Sequence, residues 1–306
     1  LASLHITPEQ VREVQDAVRA SSDNGYDEEY TMKKLFTAPG AGVGDEETRS
    51  ASGYDVPLSR MIEEHLHEMV STKSSVSSTL DRLGIDGFLQ ALGASDIQIY
   101  WPFNDNYDTD VMPVITFDPE DGSEVNVGYR MINDDGFHRV EEVLVDEEMA
   151  EECPVWIVNR NTDADHTSLE LLRREDPEWG EGGGDIIIKP ASATSRKSHK
   201  SLILKDFKSN RNYDTWFAGA SEFFVKVGAV EDFTASTEAE LRLYTPAVTD
   251  FMIVVKRKMK GQSLPFNAVL VSDWSDQMTH CAFMITEDDG GTMTTWDCKA
   301  LVRIAS

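Results

Sequence analysis

Glu175-Asp176-Pro177-Glu178-Trp179-Gly180-Glu181-Gly182-Gly183-Gly184 is the stretch that organises this chain. It ends in three glycines, which give the backbone freedom and offer no packing surface, and it coincides with a step in composition. Residues 1–184 carry 13 Lys+Arg against 40 Asp+Glu, which accounts for the whole net charge of −27. Residues 185–306 carry 15 against 15 and are neutral. The expectation is two domains, an acidic one over 1–180 and a neutral one over 185–306, with a glycine hinge that lets them move. A length of 306 residues fits two domains, and 40% hydrophobic residues supply a core for each.

Upstream of the glycines the pattern is first helical and then extended. Thr7-Pro8-Glu9-Gln10 is a helix start: Thr7 caps, Pro8 suits the first helical position and Gln10 completes a capping box. Val11, Val14 and Val18 follow at helical spacing. Residues 23–57 read as a polar loop. A second helix is expected over 59–70, and two short ones over 77–83 and 86–92, with Gly84 and Gly93 as their C-caps. From Ser95 the period falls to two: Ile97, Ile99 and Trp101 alternate with Gln98 and Tyr100, a half-buried strand. Further strands are expected over 112–117, 124–131 and 155–158. Downstream, strands are expected over 185–189, 201–206, 222–230, 238–244, 251–258, 267–272, 281–286 and 292–304. About eight short strands separated by turn residues point to an antiparallel sandwich. The fold class is therefore α+β: an N-terminal helical cluster with an antiparallel β portion, then a β-sandwich.

The charge excludes some partners. Nucleic acid needs clustered Lys and Arg, and an acidic unit of −27 repels a polyanion. No run of about 20 apolar residues is present to cross a membrane. Leu1 stands where a Met would open a chain: if a leader has been removed before it, export to the periplasm, outer membrane or exterior is expected, and if position 1 is only a boundary the location stays open. Cys153, Cys281 and Cys298 include no Cys-x-x-Cys pair, and Cys281 and Cys298 lie on adjacent expected strands where a bridge is one outcome and two thiols the other.

No sequence pattern marks a catalytic centre. Gly40, Gly42 and Gly44 lead into Asp45-Glu46-Glu47 with no Lys-Ser/Thr, so they are no phosphate loop. His65 and His67 are two apart, which on a helix points them about 200° from each other, unlike a His-Glu-x-x-His metal site. Asn104-Asp105-Asn106-Tyr107-Asp108-Thr109-Asp110 gathers oxygen ligands of the kind calcium takes, without EF-hand spacing. Trp101, Phe103 and Tyr107, and separately Trp216 and Phe217, read as core anchors or as a platform for a glycan or peptide.

Gly219-Ala220-Ser221-Glu222-Phe223-Phe224-Val225-Lys226-Val227, following Leu202-Ile203-Leu204-Lys205-Asp206, resembles the corresponding run of C2 domains, and Val271-Ser272-Asp273-Trp274-Ser275-Asp276 resembles their acidic third loop. The resemblance implies an eight-stranded β-sandwich with calcium held between loops at one end. Asp206 and Glu222 would be first-loop ligands and Asp273 and Asp276 third-loop ligands, with Asp214 as an additional acid. Glu222 and Phe223 stand where the family has Asp and Pro, and the loop from Asp206 to Gly219 is longer than the family's. The whole chain, through its acidic front, Ile97–Phe103 and its β-rich end, is similar to uncharacterised exported or lipid-anchored proteins of gut bacteria.

Three functions follow as expectations. One is a non-enzymatic binding or surface protein of the bacterial envelope, with a protein or glycan partner. Another is a metal-dependent hydrolase built on Asp105, Asp108 and Asp110, where carboxylates would hold a metal that activates water. The last is a structural or assembly role.

Overall fold

Thr7 opens the first helix as the capping pattern requires. The computed structural model describes residues 1–36, 54–72, 78–134, 137–162, 166–175, 201–229, 247–271 and 281–287. Helix α1 runs Pro8–Asp23; the Thr7 hydroxyl accepts from the Glu9 amide, and the Gln10 side chain accepts from the Thr7 amide at 3.0 Å. Two amides that helix geometry leaves without partners are thus satisfied. The other helices are α2 (Met32–Phe36), α3 (Leu58–Ser71), α4 (Ser78–Gly93), α5 (Glu147–Glu152) and α6 (Leu169–Glu175). Gly84, at φ 70°, breaks α4 into the two short helices expected.

The first sheet contains β1 (Glu29–Thr31), β2 (Ile97–Tyr100), β3 (Val114–Phe117), β4 (Asn126–Asp134), β5 (Phe137–Val145) and β6 (Val155–Arg160). Their spatial order is β1-β2-β6-β3-β4-β5. The expected antiparallel arrangement holds for every neighbouring pair but one: β3 and β6 are parallel. The β4–β5 hairpin and α5 form a crossover that returns β6 between β2 and β3. Strand β1 falls within the stretch read as a loop. Three residues are too few to show an alternation, and pairing with Gln98, Ile99 and Tyr100 is what makes them a strand.

Strand alternation gives the sheet two different faces. Ile99, Trp101, Ile115 and Trp156 pack against Val11, Val14 and Val18 of α1, with the two indoles edge-on at 5.9 Å. Tyr100, Val114, Val145, Val155 and Ile157 line the opposite face, where Trp216 and Phe217 cover them. Gly128 lies at this surface: a Cβ there would come within 2.3 Å of Val145 and 2.8 Å of Val114. A glycine lets the two valines close over the strand.

The remaining strands are β7 (Leu202–Phe207), β8 (Ser221–Ala229), β9 (Ala247–Val255), β10 (Leu264–Val271) and β11 (Ala282–Glu287). They form a three-stranded sheet, β11-β8-β9, and a two-stranded sheet, β10-β7, all antiparallel. Phe223, Val225, Phe251, Ile253 and Val255 of one sheet share a core with Leu202, Leu204, Ala268 and Leu270 of the other. Leu169 of α6, which precedes the glycine stretch, is fully buried in this core. The molecule is α+β. The expected strands at 185–189, 238–244 and 292–304, on which a C2-like strand count depends, lie outside the described residues, as do the glycine stretch and Cys298.

Candidate functional site

Ionisable side chains converge where the acidic part meets the β-rich part. The chain reaches this seam through Trp101-Pro102-Phe103-Asn104. Phe103 takes the left-handed conformation (φ 57°), which a non-glycine residue rarely adopts, and Asn104 behind it is fully buried. The Asn104 amide donates to Glu28 Oε1 at 3.0 Å and to the Trp101 carbonyl at 3.3 Å. Gln15 Nε2 donates to the carbonyls of Asn104 and Tyr107, at 2.9 and 3.0 Å. This turn holds Glu28, which with its neighbours Asp27 and Glu29 is almost wholly buried, at 2, 3 and 4% exposed.

The opposing charges come from Lys256-Arg257-Lys258, where Lys256 precedes a short 3-10 turn (Arg257–Met259) just after β9. The Arg257 guanidinium, nearly buried, grips Glu147 with Nε at 2.6 Å and Nη2 at 3.3 Å. Its Nη1 donates to the carbonyls of Asp214 and Gly219, at 3.2 and 3.3 Å. Such a fork suits a planar carboxylate, which a lysine would not match. Lys258 Nζ bridges Asp105 at 2.6 Å and Glu28 at 3.2 Å, while Lys256 donates to the Ser22 hydroxyl. The Ala220 amide donates to Asp27 Oδ2 at 2.9 Å. Gly219 sits at φ 139°, where a Cβ would press to 2.8 Å from the same Asp27 oxygen, so glycine is required for that approach. Asn159 Nδ2 donates to the carbonyls of Phe217 and Ala218, and Trp216 Nε1 to that of Glu124.

Proton affinities follow from this packing. Burial, reinforced by Asp27, holds the Glu28 carboxyl above its ordinary range, and Lys258 and Lys256 only partly offset this. The hydrogen bond from Lys258 leads in holding Asp105 below its ordinary range, with Arg19 adding to it. Burial alone would lower Lys258, but Asp105 and Glu28 outweigh it and the ammonium is held above the ordinary lysine range. Burial, with Asp27 and Glu28 nearby, pushes the Tyr100 phenol well up, so it stays neutral.

Three of the five residues expected to hold calcium, Asp206, Asp214 and Glu222, fall among the described residues. Asp206 is exposed near the end of β7, opposite Pro265. Asp214 is half-buried, with its carbonyl engaged by Arg257. Glu222 is 5% exposed on β8, on the side away from Phe223 and Val225, and near enough to act on Tyr100. Asp273 and Asp276 lie outside the described residues. Among the described residues no three His, Cys, Asp or Glu side chains gather as metal ligands. Asp105 is engaged by Lys258 and Arg19, and Asp108 and Asp110 are exposed. His65 Nε2 lies 2.9 Å from Ser3 Oγ, and His67 is exposed. Trp101, Phe103, Trp216 and Phe217 are core residues. Sequence reasoning missed the role of Lys256-Arg257-Lys258 by reading it as the end of a strand. Three successive cations in a chain whose other part carries −27 were the available signal.

A second concavity lies away from the seam. Helices α2, α3 and α4 enclose an open groove of about 600 Å³, with Leu35, Phe36 and Leu89 as apolar lining and Lys33, Arg60 and Glu63 as charged lining. Leu58 is the only residue of α3 that is buried; Met61, Ile62, Leu66 and Met69 are half-buried. Comparison with protein-family profiles, with curated proteins and with solved structures finds no match to this chain.

Proposed function

We propose that this chain is a non-enzymatic binding protein of the bacterial envelope, and that the groove between α2, α3 and α4 receives an amphipathic segment of a partner protein. One observation carries this reading: the groove combines apolar lining by Leu35, Phe36 and Leu89 with charges of both signs, Arg60 among them paired to Glu64 at 2.8 Å, at a volume typical of ligand sites. A helix laid in such a groove buries its apolar side while its charged residues meet Arg60, Lys33 and Glu63. The envelope location rests on the similarity to exported proteins.

Peptide display against the immobilised full chain tests it. Amphipathic sequences should be enriched, and Leu89→Glu should weaken their binding about tenfold or more, as loss of a buried apolar anchor does. Leu144→Glu, far from the groove, should leave it unchanged. Failure to enrich any such sequence, indifference to Leu89→Glu, or turnover in a hydrolase screen with Mn²⁺, Mg²⁺, Ca²⁺ or Zn²⁺ would overturn the proposal.

A further inference from the structure

Strand β5 closes one end of the six-stranded sheet. It pairs with β4 in unbroken register from Asn126↔Val145 to Asp134↔Phe137, and among the described residues nothing pairs with its outer side. Natural edge strands are protected by shortness, proline, bulges, charged side chains or a covering element, and of these β5 has the charges, Arg139, Glu141 and Glu142. β5 runs for nine residues without proline and without a shift in its register.

The apolar residues beside this edge are also uncovered. On the α1 side of the sheet, Ala2, Leu4 and Ile6 reach as far as Tyr129 and Met131. Beyond them Val140 is 45% and Leu144 72% exposed, opposite Met131 and Val127 of β4, and Phe117 of β3 is 45% exposed. The other side of β5 is the buried one, where Val145 is in the core with Trp216.

The charges of β5 are complementary to themselves. In an antiparallel pair of identical strands, a two-fold axis perpendicular to the sheet passes beside one residue, which faces its own copy. With the axis at Val140, Arg139 faces Glu141 of the second copy on both sides of the axis, and Val140 faces Val140. Moving the axis to Arg139, Glu141 or Glu142 sets that charge against itself. Moving it to Val143 sets Glu142 and Glu141 against Leu144 and Val145. We propose that β5 pairs antiparallel with β5 of a second copy of this chain, with Val140 at the two-fold axis, in a symmetric dimer. The two sheets then form one continuous sheet, and the exposed rows of Phe117, Val140 and Leu144 lie on the same side of it. This proposal is independent of the groove.

Each copy brings −27, so long-range repulsion opposes association. At ~0.15 M salt that repulsion is screened beyond about 8 Å while contact pairs persist. Sedimentation equilibrium of the full chain in that salt, from ~1 μM to ~1 mM, spans the affinities expected of a small interface. A monomer–dimer equilibrium is expected. Glu141→Arg and Arg139→Glu should each raise the dissociation constant about tenfold or more, because two symmetric cross-strand pairs turn repulsive. The double variant R139E/E141R restores opposite signs across the axis, and should return the constant to within about threefold of the original. Glu141 also stands opposite Arg130 within the chain, so circular dichroism must show each variant folded. Val140→Lys, which leaves both charges in place and sets two ammonium groups against each other at the axis, gives a further variant and should also weaken the dimer. A monomer throughout the range, a dimer indifferent to the single changes, or a double variant that stays as weak as either single would overturn the proposal.

Discussion

The two ends of the six-stranded sheet reverse the usual distribution of polarity. At the β1 end, Asp27, Glu28 and Glu29 are buried; at the β5 end, Val140 and Leu144 face solvent. The difference lies in what each end meets. At the β1 end Lys258 pairs with Glu28, the Ala220 amide donates to Asp27 and the Asn161 amide to Glu29, and these partners make the burial of the three carboxylates tolerable. The outer side of β5 pairs with no strand among the described residues, and on its α1 side Val140 and Leu144 remain exposed. Burial at each end is decided by the partner supplied and not by the polarity of the strand.

Experiments on either end test how firmly that contrast holds. The largest effect is expected from Trp216→Ala, which empties a fully buried site against Tyr100, Val114 and Ile157. It should cost about 3–5 kcal/mol in chemical denaturation, and a loss below about 1 kcal/mol would mean the two parts fold separately. Arg257→Leu should cost about 2–4 kcal/mol, less than a fully buried pair because Glu147 retains some solvent contact.

Glu28→Gln is a finer probe, read as a function of pH. Burial leads in raising both Glu28 and Glu13 above the ordinary value of 4.5. Stability from a raised carboxyl is full below that value and is lost as pH rises through the higher folded value. The unfolding midpoint should therefore gain from these two groups as pH falls from 7 towards 4.5, and Glu28→Gln should reduce that gain. Asp105, lowered chiefly by Lys258, works the other way: its contribution is present above 3.8 and is lost as pH falls through its folded value. A Glu28→Gln profile parallel to the parent's would show that the seam does not control proton uptake. At the β5 end, Leu144→Ser should change the stability of the monomer by no more than about 0.5 kcal/mol, since that side chain is already exposed. The smallest effect is expected from calcium. With Glu222 in the seam, ~2 mM CaCl₂ after EDTA should move the midpoint no more than MgCl₂ does. A calcium-specific rise of several degrees would instead support a site using Asp206, Asp214, Asp273 and Asp276.

Local patterns in the sequence carried much of this fold. The capping box at Thr7 and Gln10, the break at Gly84 and the alternation from Ile97 to Trp101 all produce what elementary rules assign them. Each depends on residues within a turn or a strand of one another. What the sequence hid is long-range. Glu29–Thr31 is a strand because β2 lies beside it, and β6 runs parallel to β3 because a crossover brings it there. The seam was hidden for the same reason: Arg257 and Glu147 are 110 positions apart, and no spacing rule links them. The charge step at the triple glycine is real as composition, yet Leu169 lies before it and packs in the core beyond it. Trp216 and Phe217 are the core anchors that their aromatic character allows, but the core they anchor belongs largely to strands from the acidic part.

The plug formed by Trp216 and Phe217 has a consequence during synthesis. Ribosomes deliver residues in order, at about 5–20 per second. Strands β1–β6 end at Arg160, but the side chains that roof them arrive only at Trp216, and the cations that neutralise them at Lys256 to Lys258. Nearly 100 residues separate Arg160 from Lys258, roughly 5–20 seconds of translation, during which the nascent sheet has one apolar face open and its acidic corner unpaired. The N-terminal part thus cannot reach its native state as it emerges, and its folding awaits the segment from Trp216 to Lys258.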